Sequence, residues 1–361
     1  MLLAATGGCT NTMAKIGHDM SAATEKPESV MVHVGLDRIG DSLLKLPFVR
    51  SLRAAFPEAR ITWVAGKDTS LYAGRMAPTV VGLLDEVIES AGIGQRPIEF
   101  LKRRALPGRR FDVIIDTQKI VWATLSLRRI PHKLFISPAA RFLLSSRRPP
   151  PNHPKPRSMI RQMLDLLELA SGQQFPTPDR IDLRPSPELA ALAAQLLPPG
   201  PTYVAIAPGS GGPPKCWPLD NFLGLARIQV ARGRTPAFII GPMELDWLPR
   251  IRAAVPEAVF PLQSDAIGAT HRYSPLLTIA LAGHVAAAAA NDSGAAHMMA
   301  IGGAPLVVVY GVTQPGKFVP MTDRLTIIRA QDFGGRELHW IPLNPVADAV
   351  DRAVASGAAG H

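Results

Sequence analysis

The chain has 361 residues, 47% apolar and 19% charged, which excludes a disordered or fibrous protein and is too long for one core; two domains of ordinary size fit. Two cysteines, Cys9 and Cys216, exclude a disulfide scaffold, and no apolar run nears the ~20 residues of a membrane-spanning helix. The net charge of +10 is uneven: between Arg96 and Arg161 stand 16 Lys and Arg against only Glu99, Asp112 and Asp116.

Residues 1–29 lack a basic start and make a poor signal peptide, so they are expected to be a disordered tail on a cytoplasmic protein. Order begins near Val30 with the β-rich run "VMVHVG". "LDRIGD" then turns into a helix, with Leu43, Leu46, Val49, Leu52 and Phe56 at helical spacing and Pro47 expected to kink it. "ITWVAG" and "FDVIIDTQ" read as further strands, and strands alternating with helices predict a parallel sheet. The Pro/Arg-rich stretch "SSRRPPPNHPKPR" (145–157) reads as a loop, and "IRQMLDLLELASG" as a helix. Residues 30–185 thus form a first Rossmann-like domain, and 186–201, bracketed by prolines, a linker.

A second alternating series fills 202–343. "TYVAIAPGSGG" is a strand and a glycine-rich loop, "LDNFLGLARIQVARG" a helix, "TPAFIIGP" a strand and "MELDWLPRIRAAVP" a helix. "HVAAAAAND" is alanine-rich, which favours helix, yet its acid-Ser-Gly exit favours a buried strand. "LVVVYGV" is a strand, and residues 344–361 supply a terminal helix and tail. The fold class is therefore α/β: two Rossmann-like domains facing a cleft, where ligands gather beyond the carboxyl ends of the strands.

Four constellations carry chemistry. In "NDSGAAHMM", Asp292 ends a strand, Gly294 relieves the turn, and a helix opens near Ala295 with Ser293 and His297 close by. Its free N–H groups suit a phosphate, although Asp292 or Ser293 could equally be a simple cap. In "APGSGGPPKCWP", a glycine-rich loop with Ser210 precedes Lys215; it is neither a P-loop nor a dinucleotide fingerprint, and a surface loop is the plain alternative. In "GLDRIGDSLLKLP", Asp41 stands at a helix start, as a cap or as a general base. Asp116 and Gln118, followed by Lys119, end a strand and could bind sugar hydroxyls, and Glu244 could accept bonds from a ribose. No metal-ligand spacing occurs, so no metal and no cofactor is expected.

Together, "VHVGLDRIGDSLLKLPFVRSLRAAFPEARITWVAG", "PGSGGPPKCWP" and "NDSGAAHMMAIGGAPLVVVYGVTQP" resemble the family-nine glycosyltransferases, the ADP-heptose:lipopolysaccharide heptosyltransferases. The resemblance implies a GT-B fold, with the acceptor on the N-terminal domain and the nucleotide-sugar on the C-terminal one. It implies inverting transfer of a sugar, with Asp41 as catalytic base. Ser210, Lys215, Glu244, Asp292, Ser293, Gly294, Ala295, His297 and Thr313 would hold the nucleotide-sugar, and Asp116, Gln118 and Lys119 the acceptor. The basic segment 96–161 would meet an anionic glycolipid at the inner face of the inner membrane. Nucleic acid is not expected, since the basic clusters lack interleaved aromatics. A nucleotide-sugar epimerase on the same fold, or a catalytically silent glycolipid-binding homologue, are the alternatives.

Overall fold

The first strand, β1 (Ser29–Val34), is buried along nearly its whole length, as a strand at the centre of a parallel sheet must be. In a computed structural model, the residues described are 26–94, 97, 105–212, 215–268, 271–312 and 315–358. The expected tail lies outside them except for 26–29, and order starts slightly earlier than predicted: Asp112 accepts hydrogen bonds from the Glu28 and Ser29 amides.

Around β1 run β2 (Arg60–Ala65), β3 (Glu86–Ile88), β4 (Phe111–Asp116) and β5 (His132–Ile136), all parallel in the order β3-β2-β1-β4-β5. Alternate side chains feed two cores. Val30, Val32, Ile61 and Trp63 face one, with helices α1 (Ile39–Ala55) and α3 (Met159–Ser171); Met31, Val64 and Ile114 face the other, with α2 (Val121–Arg128). α1 runs unbroken through Pro47, so the expected kink does not interrupt it.

The second sheet contains β6 (Tyr203–Ala207), β7 (Thr235–Phe238), β8 (Ala287–Asn291), β9 (Leu306–Tyr310) and β10 (Leu325–Arg329), parallel in the order β10-β9-β8-β6-β7. The alanine run is indeed a strand. Ala288 and Ala290 face one helical layer and Ala287 and Ala289 the other, and their small side chains let helices approach from both faces.

α4 (Pro187–Leu196) occupies the expected linker. Its Leu189 and Ala193 bury in the second core beside α7 (Pro275–Ala282), so it is part of that domain's packing rather than a free tether. "MELDWLPRIRAAVP" is not one helix: a 3-10 turn (Pro242–Trp247) leads into α6 (Leu248–Ala254), with Pro249 in its first turn. α5 (Leu219–Ala231), α8 (Gly294–Ile301) and the terminal α9 (Leu343–Ala358) complete the layers.

Candidate active site

β6 and β8 are direct neighbours, with Ala207 paired to Ala290, so the loops leaving their carboxyl ends emerge side by side. One buried side chain fastens them. Asn291, the last residue of β8, donates from Nδ2 to the Pro208 carbonyl (2.7 Å), and its Oδ1 accepts from the Trp217 amide (2.9 Å). Both ends of the 208–217 loop are thereby tied to the corner that opens α8. The sequence reading passed over Asn291; an amide buried directly before D-S-G was the available signal.

At that corner Ser293 is the N-cap residue of α8 but does not cap it, and its Oγ is buried with no partner among the described residues. The Tyr310 hydroxyl at the end of β9 is likewise buried and unpartnered; burial, and then the charge of Asp292, push its pKa up. Both hydroxyls keep unused hydrogen-bonding capacity beneath this corner, and Tyr310 was not foreseen. Glu244 rests directly on the loop: a side chain at Gly209 would begin 2.5 Å from its carboxylate, so glycine is required there. Burial raises the Glu244 pKa, partly offset by hydrogen bonds from the Gly241 and Glu244 amides. Ser210 turns inward, its Oγ donating to the Gly212 carbonyl (3.0 Å) beside Cys216, while Lys215 is exposed on the loop. Thr313 lies outside the described residues.

The first domain meets this corner through the start of α1. A side chain at Gly40 would begin 2.9 Å from His297 Cδ2, and one at Gly294 would begin 3.2 Å from Ile39. Two helix N-termini thus abut almost backbone to backbone, and their combined positive ends favour an anion. His297 is 5% exposed, and burial lowers its pKa from 6.5 to about 4, so the imidazole is neutral at pH 7.

Asp41 follows Gly40 at this seam and is half-buried. Burial raises its pKa; Lys45 opposes this, Asp37 adds to it, and Arg38 and Lys317 oppose it. That balance suits a proton acceptor better than an ordinary surface carboxylate. Its neighbour Asp37 is the structural acid of the loop. At 3% exposure, it accepts from Lys45 Nζ (2.8 Å), Trp63 Nε1 (2.9 Å) and Ser70 Oγ (2.6 Å).

The acceptor set is corrected in part. Asp116 is 0% exposed and receives hydrogen bonds from Thr124 Oγ1 (2.6 Å), Ser137 Oγ (3.0 Å) and the Gln118 amide (3.0 Å), with His33 Nδ1 at 2.8 Å. With its oxygens so occupied, it cannot reach a sugar and instead fixes the turn carrying Gln118. Gln118 leans over Gly35, and Lys119 is exposed and bonds Gln162 Oε1 (3.2 Å).

The basic segment is also less free than its charge implies. Arg109 pairs with Glu86, Lys133 with Asp112, and Arg161 with Asp165 and Glu168, while Arg147 bonds the last carbonyls of α3. Arg96, Lys102, Arg103 and Arg104 lie outside the described residues. Among those described, no three His, Cys, Asp or Glu gather to hold a metal, and no helix is long and apolar enough to cross a membrane.

A family model, glycosyltransferase family 9 (heptosyltransferase), matches residues 101–339. The chain belongs to this family. It is 31% identical over 127 residues to the lipooligosaccharide heptosyltransferase 2 of Haemophilus influenzae, a stretch spanning 35% of this chain and 36% of that one. Among solved structures it is similar to the family 9 glycosyltransferase of Veillonella parvula DSM 2008 (19% identity, TM-score 0.65, 91% of this chain and 97% of that one). It is also similar to an E. coli heptosyltransferase with ADP (18% identity, TM-score 0.63, 90% and 99%). The architecture is therefore GT-B, two Rossmann-like domains facing a cleft.

Proposed function

We propose that this family 9 member is an inverting glycosyltransferase that moves a heptose from ADP-heptose to a lipopolysaccharide-core or related envelope glycan. The observation that carries this reading is the Asn291 clamp, which joins the 208–217 loop to the start of α8 opposite Asp41. The C-terminal domain (202–343) takes the nucleotide-sugar: Lys215 and the amides of Ser293, Gly294 and Ala295 neutralise the diphosphate, Glu244 takes the ribose, and Asp292 and His297 lie beside the sugar. The N-terminal domain (30–185) takes the acceptor near Gln118 and Lys119.

Asp41 removes the proton from the acceptor hydroxyl as its oxygen attacks the anomeric carbon. The bond from that carbon to the diphosphate oxygen breaks, and ADP leaves with its charge held by Lys215 and the helix start. The cytoplasmic face of the inner membrane is the working place, with cations of segment 96–161 that pair with no described residue, such as Arg141 and Arg148, turned to anionic glycolipid.

Calorimetric titration with ADP-, UDP- and GDP-sugars, repeated on Lys215→Ala, tests the reading. Failure of the wild-type chain to bind any of them removes the transferase and the epimerase alternative together. Where one binds, product analysis with Asp41→Ala separates transfer from binding: unchanged turnover rules out Asp41 as the base.

A further inference from the structure

Arg38 is a poor residue for the place it occupies. It is the N-cap residue of α1, where Ser, Thr, Asp or Asn stabilise a helix and a cation opposes its dipole, and its side chain caps nothing. It is exposed and makes no hydrogen bond or ion pair with any described residue, while Asp37 beside it is buried and fully bonded. Local stability therefore does not explain an arginine here.

Its direction does. Nη1 lies 3.9 Å from the point where a side chain at Gly211 would begin, so a guanidinium rooted in the first domain crosses to the glycine-rich loop of the second. Gly211 is exposed and carries no side chain to fill the gap, and Lys215 is a second cation on the same loop. A planar guanidinium matches a phosphate through two parallel N–H bonds, which a lysine cannot reproduce.

We propose that Arg38 is a ligand of the sugar-linked phosphate of the bound nucleotide, supplied by the acceptor-side domain across the cleft. The inference rests on the nucleotide-sugar reading of the 208–217 loop. It makes the anion site complete only while the two domains are apposed, so part of the charge that helps the diphosphate leave comes from the wall bearing Asp41. The same guanidinium lowers the Asp41 pKa, favouring the ionised base.

The test uses Arg38→Ser and Arg38→Lys in the full chain, with ADP and AMP as calorimetric probes and a thermal melt of each variant. Serine is the better cap, so its melting temperature stays level or rises, while ADP affinity falls about tenfold or more and AMP affinity, lacking the second phosphate, holds within about twofold. Lysine restores part of the ADP loss. Equal ADP affinity in wild type and Arg38→Ser overturns the inference and leaves the nucleotide-sugar reading standing. A lowered melting temperature with parallel losses for ADP and AMP also overturns it, by assigning Arg38 a structural role. Wild-type protein that binds neither nucleotide overturns both.

Discussion

Lowering the pH from 7 to 5 tests the burial of His297. In the folded chain its pKa is about 4 against 6.5 when unfolded, so across that window the unfolded chain takes up a proton that the native state refuses. Stability is therefore full above 6.5 and is lost as the pH falls toward 4. The whole gap, at about 1.4 kcal/mol per pH unit, is worth about 3 kcal/mol, of which about 2 kcal/mol has gone by pH 5. Urea unfolding followed by tryptophan fluorescence at pH 7 and pH 5 measures this for the wild type and for His297→Gln, which cannot titrate. The variant should be spared about 2 kcal/mol of the acid-induced loss. The same loss in both proteins refutes the claim that His297 is held neutral against Gly40.

Asp41→Asn should lower turnover by about 10²- to 10⁴-fold, read as product formed from ADP-heptose. Because the folded pKa of Asp41 is raised, its ionisation weakens the fold above that value. The variant should melt higher than wild type at pH 8 and equally at pH 3; a lower melting point at pH 8 contradicts the burial argument. Gly40→Ala places a carbon 2.9 Å from His297 and should force the seam apart, cutting turnover about 10²-fold and, by drawing Arg38 away from the 208–217 loop, lowering ADP affinity as well; unchanged turnover and ADP affinity would show that the seam does not set the approach of the two domains. Asn291→Ala leaves the Trp217 amide and Pro208 carbonyl buried without partners, so it should cost about 2–4 kcal/mol and weaken ADP binding; an unchanged ADP affinity would mean the clamp does not shape the site.

The strands were legible because β-rich runs ended on glycine or acid, and even the alanine strand declared itself through its D-S-G exit. What escaped depended on distant partners. Asp116 looked like a ligand at a strand end, yet its fate was set by His33, 83 residues away, and by Ser137 just past the end of β5. Asp37 stands in the loop before α1 and Asp41 in its first turn, and the positions of Trp63 and Ser70 decide which is buried. The charge of segment 96–161 was read correctly, but its partners Glu86, Asp165 and Glu168 lie outside the segment and were invisible to a local balance. Arg38 went unremarked because a cap residue is judged by its own helix, whereas this one extends toward the other domain.

Since Asn291 grips only main-chain atoms at either end of the loop, nothing in that grip reads the identity of residues 209–216. Beyond Gly209, which Glu244 fixes, the span between its anchor points is an interchangeable cassette: segments of equal length can be swapped in while strand and helix beneath keep their places.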